Sequence, residues 1–312
     1  MGRSLHRHWV TSDRLTLTAL TTTLLLWASA FVAIRIALPG FSVAGLSLGR
    51  LAVASLALAA AAPVLGVRAP ARADLPRIIV CGLSGMTAYQ LLLNAGERTV
   101  PAGTASLLVN TGPIFAAVLA YALLREPLST RRRAGIVLGF AGATVMTLAQ
   151  GGALRPSVDA LLILAAAVAQ ALFFVLQKPL LARYRGFEVT CYAMWSGTVL
   201  ALPLLPALAH DLPEAGAGPI AATLFLGLGP SAVGFVAWAY AQARLPVAAA
   251  ANTLYLVPFL AIGVGWAALG ESVHPLALAG GLLALAGVAV SRSGSHRTTR
   301  PRSPRATHPA SR

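Results

Sequence analysis

PAGTASLLVNTGPIFAAVLAYALLREPLSTRRRAGIVLGFAG, residues 101–142, has a second copy further along the chain. Moving the sequence forward by 145 residues lays Pro101 on Pro246, Pro113 on Pro258, Glu126 on Glu271, Gly135 on Gly280 and Gly142 on Gly287, without a gap. Proline and glutamate are uncommon here, so five coincidences at one offset mark a duplication. A repeat of this size governs how every other segment is read.

Outward from this stretch the chain is apolar. Its 312 residues are 57% hydrophobic and only 11% charged, with a mean hydropathy of +0.75. A soluble chain carries about 25% charged residues, so lipid must solvate much of this surface. Apolar runs near the roughly 20 residues that cross a bilayer fall at about 15–37, 42–65, 77–96, 101–124, 134–150, 158–178, 187–207, 219–241, 246–269 and 275–291. The sequence predicts an all-α polytopic membrane protein of ten transmembrane helices. Residues 1–14 are a basic N-terminal segment, 15–150 the first repeat, 158–291 the second, and 292–312 a tail whose Arg, Ser and Pro content predicts disorder. Ala28-Ser29-Ala30 imitates a signal-peptide cleavage site, but the apolar run continues past it and is kept as the first helix.

The net charge of +15 invites a nucleic-acid reading. The distribution excludes it, because the basic residues sit in short segments between apolar runs and in the tail. With the N-terminus in the cytoplasm, Arg98 and Arg155 are external, Arg35 and Arg50 lie within runs, and the other twenty of the 24 basic residues are cytoplasmic. This bias predicts an inner-membrane protein with both termini inside. Five helices per repeat is an odd number, so the second repeat enters the membrane upside down. The Glu126 loop is then cytoplasmic and carries Arg131, Arg132 and Arg133, whereas the Glu271 loop is external and has Leu276 and Ala277 instead. Inverted repeats of this kind mark secondary carriers whose site lies near the midplane.

The chain resembles the EamA-type drug/metabolite transporters on several motifs. These are Trp27-Ala-Ser29-Ala-Phe31 with Arg35, Gly49-Arg50, Pro113 to Arg125-Glu126-Pro127, Gly135 to Gly142, Phe174 to Lys178, Pro258 to Gly270-Glu271, and Gly280 to Gly287. The second repeat departs from the first in having Gln170 where Trp27 would align and Trp195 where Arg50 would fall. The resemblance implies a carrier fold and transport of small organic molecules. Export or exchange of a small amphipathic or amino-acid-like metabolite by alternating access is the first expectation. A lipid-linked sugar flippase of similar fold stands beside it, and a membrane enzyme or receptor is a distant third.

Polar residues within hydrocarbon are costly and face the interior or a wet cavity, so they form the candidate site. Arg50 lies about eight residues inside its run. Two readings remain open for it: contact with an anionic substrate group, which its planar fork suits, or bonding to carbonyls of neighbouring helices. Trp27, Tyr89, Gln90, Asn110, Thr111, Gln170, Trp195, Asn252 and Tyr255 complete the candidate substrate-binding set. Pro113, Pro258, Gly229 and Pro230 are expected to interrupt their helices, and Glu126 and Glu271 to organise loops and gates. Gly135, Gly139, Gly280, Ala284 and Gly287 are assigned to close helix packing. Arg35, near a helix end, is expected to snorkel to the interface. All nine acidic residues fall in loops or at helix ends, which argues against a buried carboxylate relay. No catalytic residue, metal ligand or cofactor is expected. Cys81 and Cys191 read as packing residues, and a homodimer stays open.

Overall fold

A computed structural model describes residues 2–124, 130–150, 157–242, 244 and 253–292. All regular structure among them is helical. The α-helices are α1 (Gly2–Ala37), α2 (Val43–Leu65), α3 (Leu75–Gly82), α4 (Tyr89–Gly96), α5 (Ala102–Val109), α6 (Gly112–Leu124), α7 (Thr130–Gln150), α8 (Val158–Leu181), α9 (Gly186–Ala201), α10 (Leu205–Asp211), α11 (Ala217–Leu226), α12 (Phe235–Gln242), α13 (Val257–Leu269) and α14 (Pro275–Arg292). Among the described residues, six helical stretches are long and apolar enough to cross a membrane: Arg14–Ala37, Val43–Leu65, Arg72–Gly96, Val158–Leu181, Gly186–Asp211 and Ala217–Ala241. Three shorter apolar helices cover Arg133–Met146, Val257–Leu269 and Pro275–Val290. Large apolar side chains stand exposed on the outer surface, among them Leu56, Val64, Val137, Val199 and Trp266. Water would penalise such a surface; lipid does not. The chain is a multi-pass membrane protein.

The duplication is visible in where the helices break. A wide π turn over Leu83–Ala88 joins α3 to α4, and another over Gly227–Gly234 joins α11 to α12. Shifting the first by 145 residues puts it inside the second. The same shift carries the first residue of α6, Gly112, onto that of α13, Val257, and the first of α7, Thr130, onto that of α14, Pro275. Pro113 and Pro258 each sit in the first turn of the helix they begin, where a missing N–H costs nothing.

Between α5 and α6 the expected break occurs at Asn110–Thr111. The Asn110 Nδ2 donates to the Ser106 carbonyl at 2.9 Å and the Thr111 Oγ1 to the Leu108 carbonyl at 2.6 Å. The same two carbonyls also accept from the Asn110 and Thr111 N–H groups, so both side chains bond back onto their own helix.

Helices α7 and α14 pack most intimately, and they do so through equivalent residues. A Cβ on Gly142 would lie 2.5 Å from the Gly280 carbonyl oxygen and the Ala284 nitrogen, and one on Gly287 would lie 2.6 Å from the Gly135 carbonyl oxygen. Gly142 and Gly287 correspond between the repeats, as do Gly135 and Gly280. Each repeat therefore offers the other the same contact, and the two helices run antiparallel.

Two apolar cores flank the polar interior. One gathers Phe31, Ile34, Leu46, Leu93, Leu108 and Ile163. The other gathers Leu51, Ile78, Met86, Phe173 and Met194 together with Cys81 and Cys191, both free and buried.

Candidate functional site

Helix α2 starts at Ser42, whose hydroxyl accepts from the Gly45 N–H at 3.0 Å, the expected N-cap bond. Two turns on, Arg50 points inward and is buried. Its Nη2 donates to the Ser231 Oγ at 3.2 Å, whereas Nε and Nη1 have no hydrogen-bond partner. Ser231 reaches it because the π turn of Gly227–Gly234 runs hard against α2: a Cβ on Gly227 would lie 2.5 Å from the Val53 Cβ and 2.9 Å from the Arg50 carbonyl oxygen. The glycine permits the approach that positions the serine.

Opposite Arg50, helix α4 and the residue after it carry Gln90, Asn94 and Glu97 at i, i+4 and i+7, the spacing of one helix face. All three are fully buried. The Asn94 Nδ2 donates to the Ser47 Oγ at 2.8 Å, tying α4 to α2 one turn from Arg50. The Gln90 Oε1 and Nε2, Asn94 Oδ1, both Glu97 carboxylate oxygens and the Thr104 Oγ1 have no hydrogen-bond partner. Polar atoms so placed are expensive unless something pairs with them. Tyr89 and Glu97 are the ionisable groups acting on the Arg50 guanidinium, and Gln170 of α8 interacts with the Tyr89 hydroxyl.

Beside this polar face lies an aromatic one. The Trp27 Nε1 donates to the Pro230 carbonyl at 3.2 Å, and its ring lies 5.3 Å from Phe235 and 5.5 Å from Trp238. Phe173 and Phe174 of α8 extend the patch to Phe235 and Trp238. The shift of 145 residues aligns Gln90 with Phe235, Asn94 with Ala239 and Arg50 with Trp195. At these three positions the first repeat carries polar or charged residues and the second aromatic or apolar ones.

Other candidate residues lie apart. Asn110 and Thr111 are spent on their own helix break. Trp195 donates to the Ser55 carbonyl at 3.2 Å and packs in the second core. Gly229 lies within the π turn, where it approaches Leu26. Glu126 and Asn252 lie outside the described residues; Tyr255 falls in the turn Leu254–Leu256 before α13. A groove of about 390 Å³ lined by Ser29, Val32, Ile36, Ala222, Phe225 and Val264 is almost wholly apolar, and neither Arg50 nor the α4 stripe lines it.

Two expectations are refined. Arg35 is not simply a snorkelling side chain: it reaches the end of its helix, and its head is paired there. Its Nε pairs with the Glu271 Oε1 at 2.9 Å, and its Nη1 donates to the carbonyls of Glu97 at 2.7 Å and Arg98 at 3.0 Å. Glu271 also accepts from the Ala102 N–H at 2.8 Å, capping α5. Helix α1, the end of α4, α5 and the α13–α14 connection are thereby locked together. Nor are all the carboxylates peripheral: Glu97, one residue beyond a span, is sealed beneath this lock. Its position on the face shared with Gln90 and Asn94 was readable from spacing; the lid above it was not.

At the opposite end, the Arg183 Nη1 pairs with the Asp74 Oδ1 at 2.8 Å, and the Tyr184 hydroxyl donates to the Asp74 Oδ2 at 2.6 Å. The Tyr192 hydroxyl donates to the Arg68 carbonyl at 2.6 Å. The polar cluster thus lies between cross-braces that each join the two repeats. Removing Arg35 takes away an ion pair and two carbonyl bonds, together about 1–2 kcal/mol for partly exposed groups. A cysteine at Thr104 is expected to react about tenfold faster with a membrane-impermeant maleimide on whole cells when Arg35→Ala is added. An unchanged labelling rate would show that the lock does not control access.

The sequence matches the EamA-like transporter family twice, over residues 15–148 and 158–293. A probable terminal-alkyne amino-acid exporter of Streptantibioticus cattleyicolor is 54% identical over 270 residues, covering 86% of this chain and 91% of that protein. A probable amino-acid metabolite efflux pump of Salmonella typhimurium is 26% identical, covering 72% of this chain and 79% of that one. A protein of known crystal structure has the same fold, with a TM-score of 0.62 and 22% identity over 91% of this chain and 97% of its own. With both repeats matched across nearly the whole apolar region, the chain belongs to the EamA-like transporter family.

Proposed function

We propose that this transporter exports a small amino-acid-like metabolite by alternating access between its two repeats. The single observation that carries the reading is the buried Arg50, with two guanidinium nitrogens free and a stripe of unpaired amides opposite. A carboxylate satisfies a desolvated guanidinium better than any neutral group. The Trp27–Phe235–Trp238 patch supplies an apolar wall for a side chain. The relative named as an exporter of terminal-alkyne amino acids agrees with both. Arg50, Tyr89, Gln90, Gln170 and Trp27 are the substrate-binding residues of this reading, joined by Asn94 and Ser231.

The ten passes, counted with the broken α5–α6 segment as one, form two inverted five-helix repeats, 15–150 and 158–291. Antiparallel packing of the equivalent helices α7 and α14 supports the inversion. The arginine bias supports an inner membrane location with both termini in the cytoplasm. A lipid-linked sugar flippase would need its arginine in a cavity open to lipid, and the apolar groove beside α1 does not include Arg50.

The test is counterflow in proteoliposomes with L-propargylglycine, an amino acid ending in a terminal alkyne, and with a panel of ordinary amino acids. Saturable exchange is expected. Movement of a labelled lipid with no exchange of any amino acid would sink the reading.

A further inference from the structure

Glu97 is the first residue past the span Arg72–Gly96, yet it is fully buried and neither carboxylate oxygen has a hydrogen-bond partner. The Ser47–Asn94 bond sets its register against α2. Arg50 lies one turn to one side of that bond and Glu97 one turn to the other, because α2 and α4 descend in opposite senses. The two Cα atoms are therefore about 9 Å apart along the helix axes, at 1.5 Å per residue. Side chains on each helix lean toward its N-terminus, which for both residues is toward the other, and the two groups act on each other electrostatically. A cation-seeking group and an anion-seeking group thus face the same small volume, with unpaired amide atoms of Gln90 and Asn94 alongside.

The charged and titratable groups around Glu97 come from every packed element. They are Arg35 from α1, Arg50 from α2, Tyr89 from α4 and Glu271 from the α13–α14 connection, with Arg98 next in sequence. Asp159, at the start of α8, accepts from the Thr99 hydroxyl. Arg35 is already paired with Glu271, leaving Glu97 without a dedicated counter-ion. Burial pushes the Glu97 carboxyl well above the usual carboxylate range, opposed by Arg50 and then Arg35, and reinforced by Glu271.

We propose that Glu97 couples export to proton entry, its carboxyl holding a proton in one half of the cycle and the substrate's ammonium group in the other. The proposal rests on the amino-acid reading above. The substrate enters from the cytoplasm as a zwitterion, its carboxylate on Arg50. Its ammonium group takes the place of the Glu97 proton, which passes to cytoplasmic water. Release outside leaves Glu97 as a bare carboxylate in a desolvated place, and an external proton neutralises it before the Arg35–Glu271 lock closes again. No bond other than O–H is made or broken. One proton enters for each neutral zwitterion that leaves, so each cycle carries one positive charge inward.

The experiment uses the full-length protein in proteoliposomes with L-propargylglycine, a pH-sensitive dye and valinomycin clamps. Wild-type protein is expected to exchange the amino acid at equal pH on both sides. It should move it uphill, at least tenfold over the equal-pH steady state, when protons are more concentrated on the trans side, and an imposed potential alone should also drive it. Glu97→Gln, nearly isosteric, is expected to lose the pH-driven component while retaining exchange at equal pH with KM raised about tenfold. Glu97→Asp should keep the coupling. Exchange that ignores both gradients and moves no proton overturns the proposal and leaves the transport reading intact, as does pH-driven uptake that survives Glu97→Gln. Absence of exchange by the wild type overturns both. Dye and flux measurements on the wild type decide the matter even if Glu97→Gln fails to fold.

Discussion

Arg50→Ala is expected to lower the rate of amino-acid counterflow at subsaturating substrate about 100-fold, and Arg50→Lys at least tenfold. The first figure is about 2.8 kcal/mol at 1.4 kcal/mol per decade, within the range for losing one partner of a desolvated charge pair. The lysine prediction is the sharper one. Lys keeps the charge but presents it as a point on a flexible stem, without the planar donors. Ser231, which holds the guanidinium through Nη2, has no equivalent geometry to offer an ammonium. Ser231→Ala, which removes one hydrogen bond worth about 1 kcal/mol, is expected to cost only about fivefold. An analogue with an amine and no carboxylate separates binding from folding. Propargylamine should be handled equally by wild type and Arg50→Lys, because neither has a carboxylate to hold. Full-rate exchange of L-propargylglycine by a well-folded Arg50→Lys protein would remove Arg50 from the site and make it a structural arginine.

Arg50 also shows where sequence reasoning reached its limit. Its depth within an apolar run was enough to single it out, because a charge in hydrocarbon needs a reason. The helix breaks were legible for the same local cause: Pro113, Pro258, Gly229 and Pro230 act on the backbone within a turn or two of themselves. Glu97 was not. Depth counted along the chain places it at a helix end, where carboxylates are ordinarily hydrated. Whether that end meets water is decided by Arg35 and Glu271, which come together across 236 residues of sequence. The period of Gln90, Asn94 and Glu97 could have flagged the face, but not the seal over it. Asn110 and Thr111 differ in the other sense: their side chains bond back to carbonyls four and three residues earlier, a local use that a list of intramembrane polar residues does not distinguish from a binding role.

Gly142→Leu and Gly287→Leu are each expected to abolish recovery of monodisperse protein, whereas Gly263→Ala should leave it unchanged. The difference lies in what a side chain would meet. At Gly263, in α13, an added Cβ meets nothing within 4 Å. At Gly142 it meets the backbone of α14 at 2.5 Å, and at Gly287 the backbone of α7 at 2.5 Å. Backbone cannot rotate aside as a side-chain tip can, so the helices must separate along their whole contact. Overpacking of ordinary cores costs about 1–3 kcal/mol. Here the added volume falls at the tightest point of a helix pair held by close van der Waals contact, and lipid offers no hydrophobic gain to hold it together. Alanine should give a graded version, with a lower thermal midpoint in detergent for Gly142→Ala and for Gly287→Ala. Because the two glycines occupy equivalent positions in the repeats, their alanine variants should cost nearly the same. Markedly unequal losses would mean that the contact is not shared symmetrically and that the α7–α14 pair is not the axis about which the two repeats are joined.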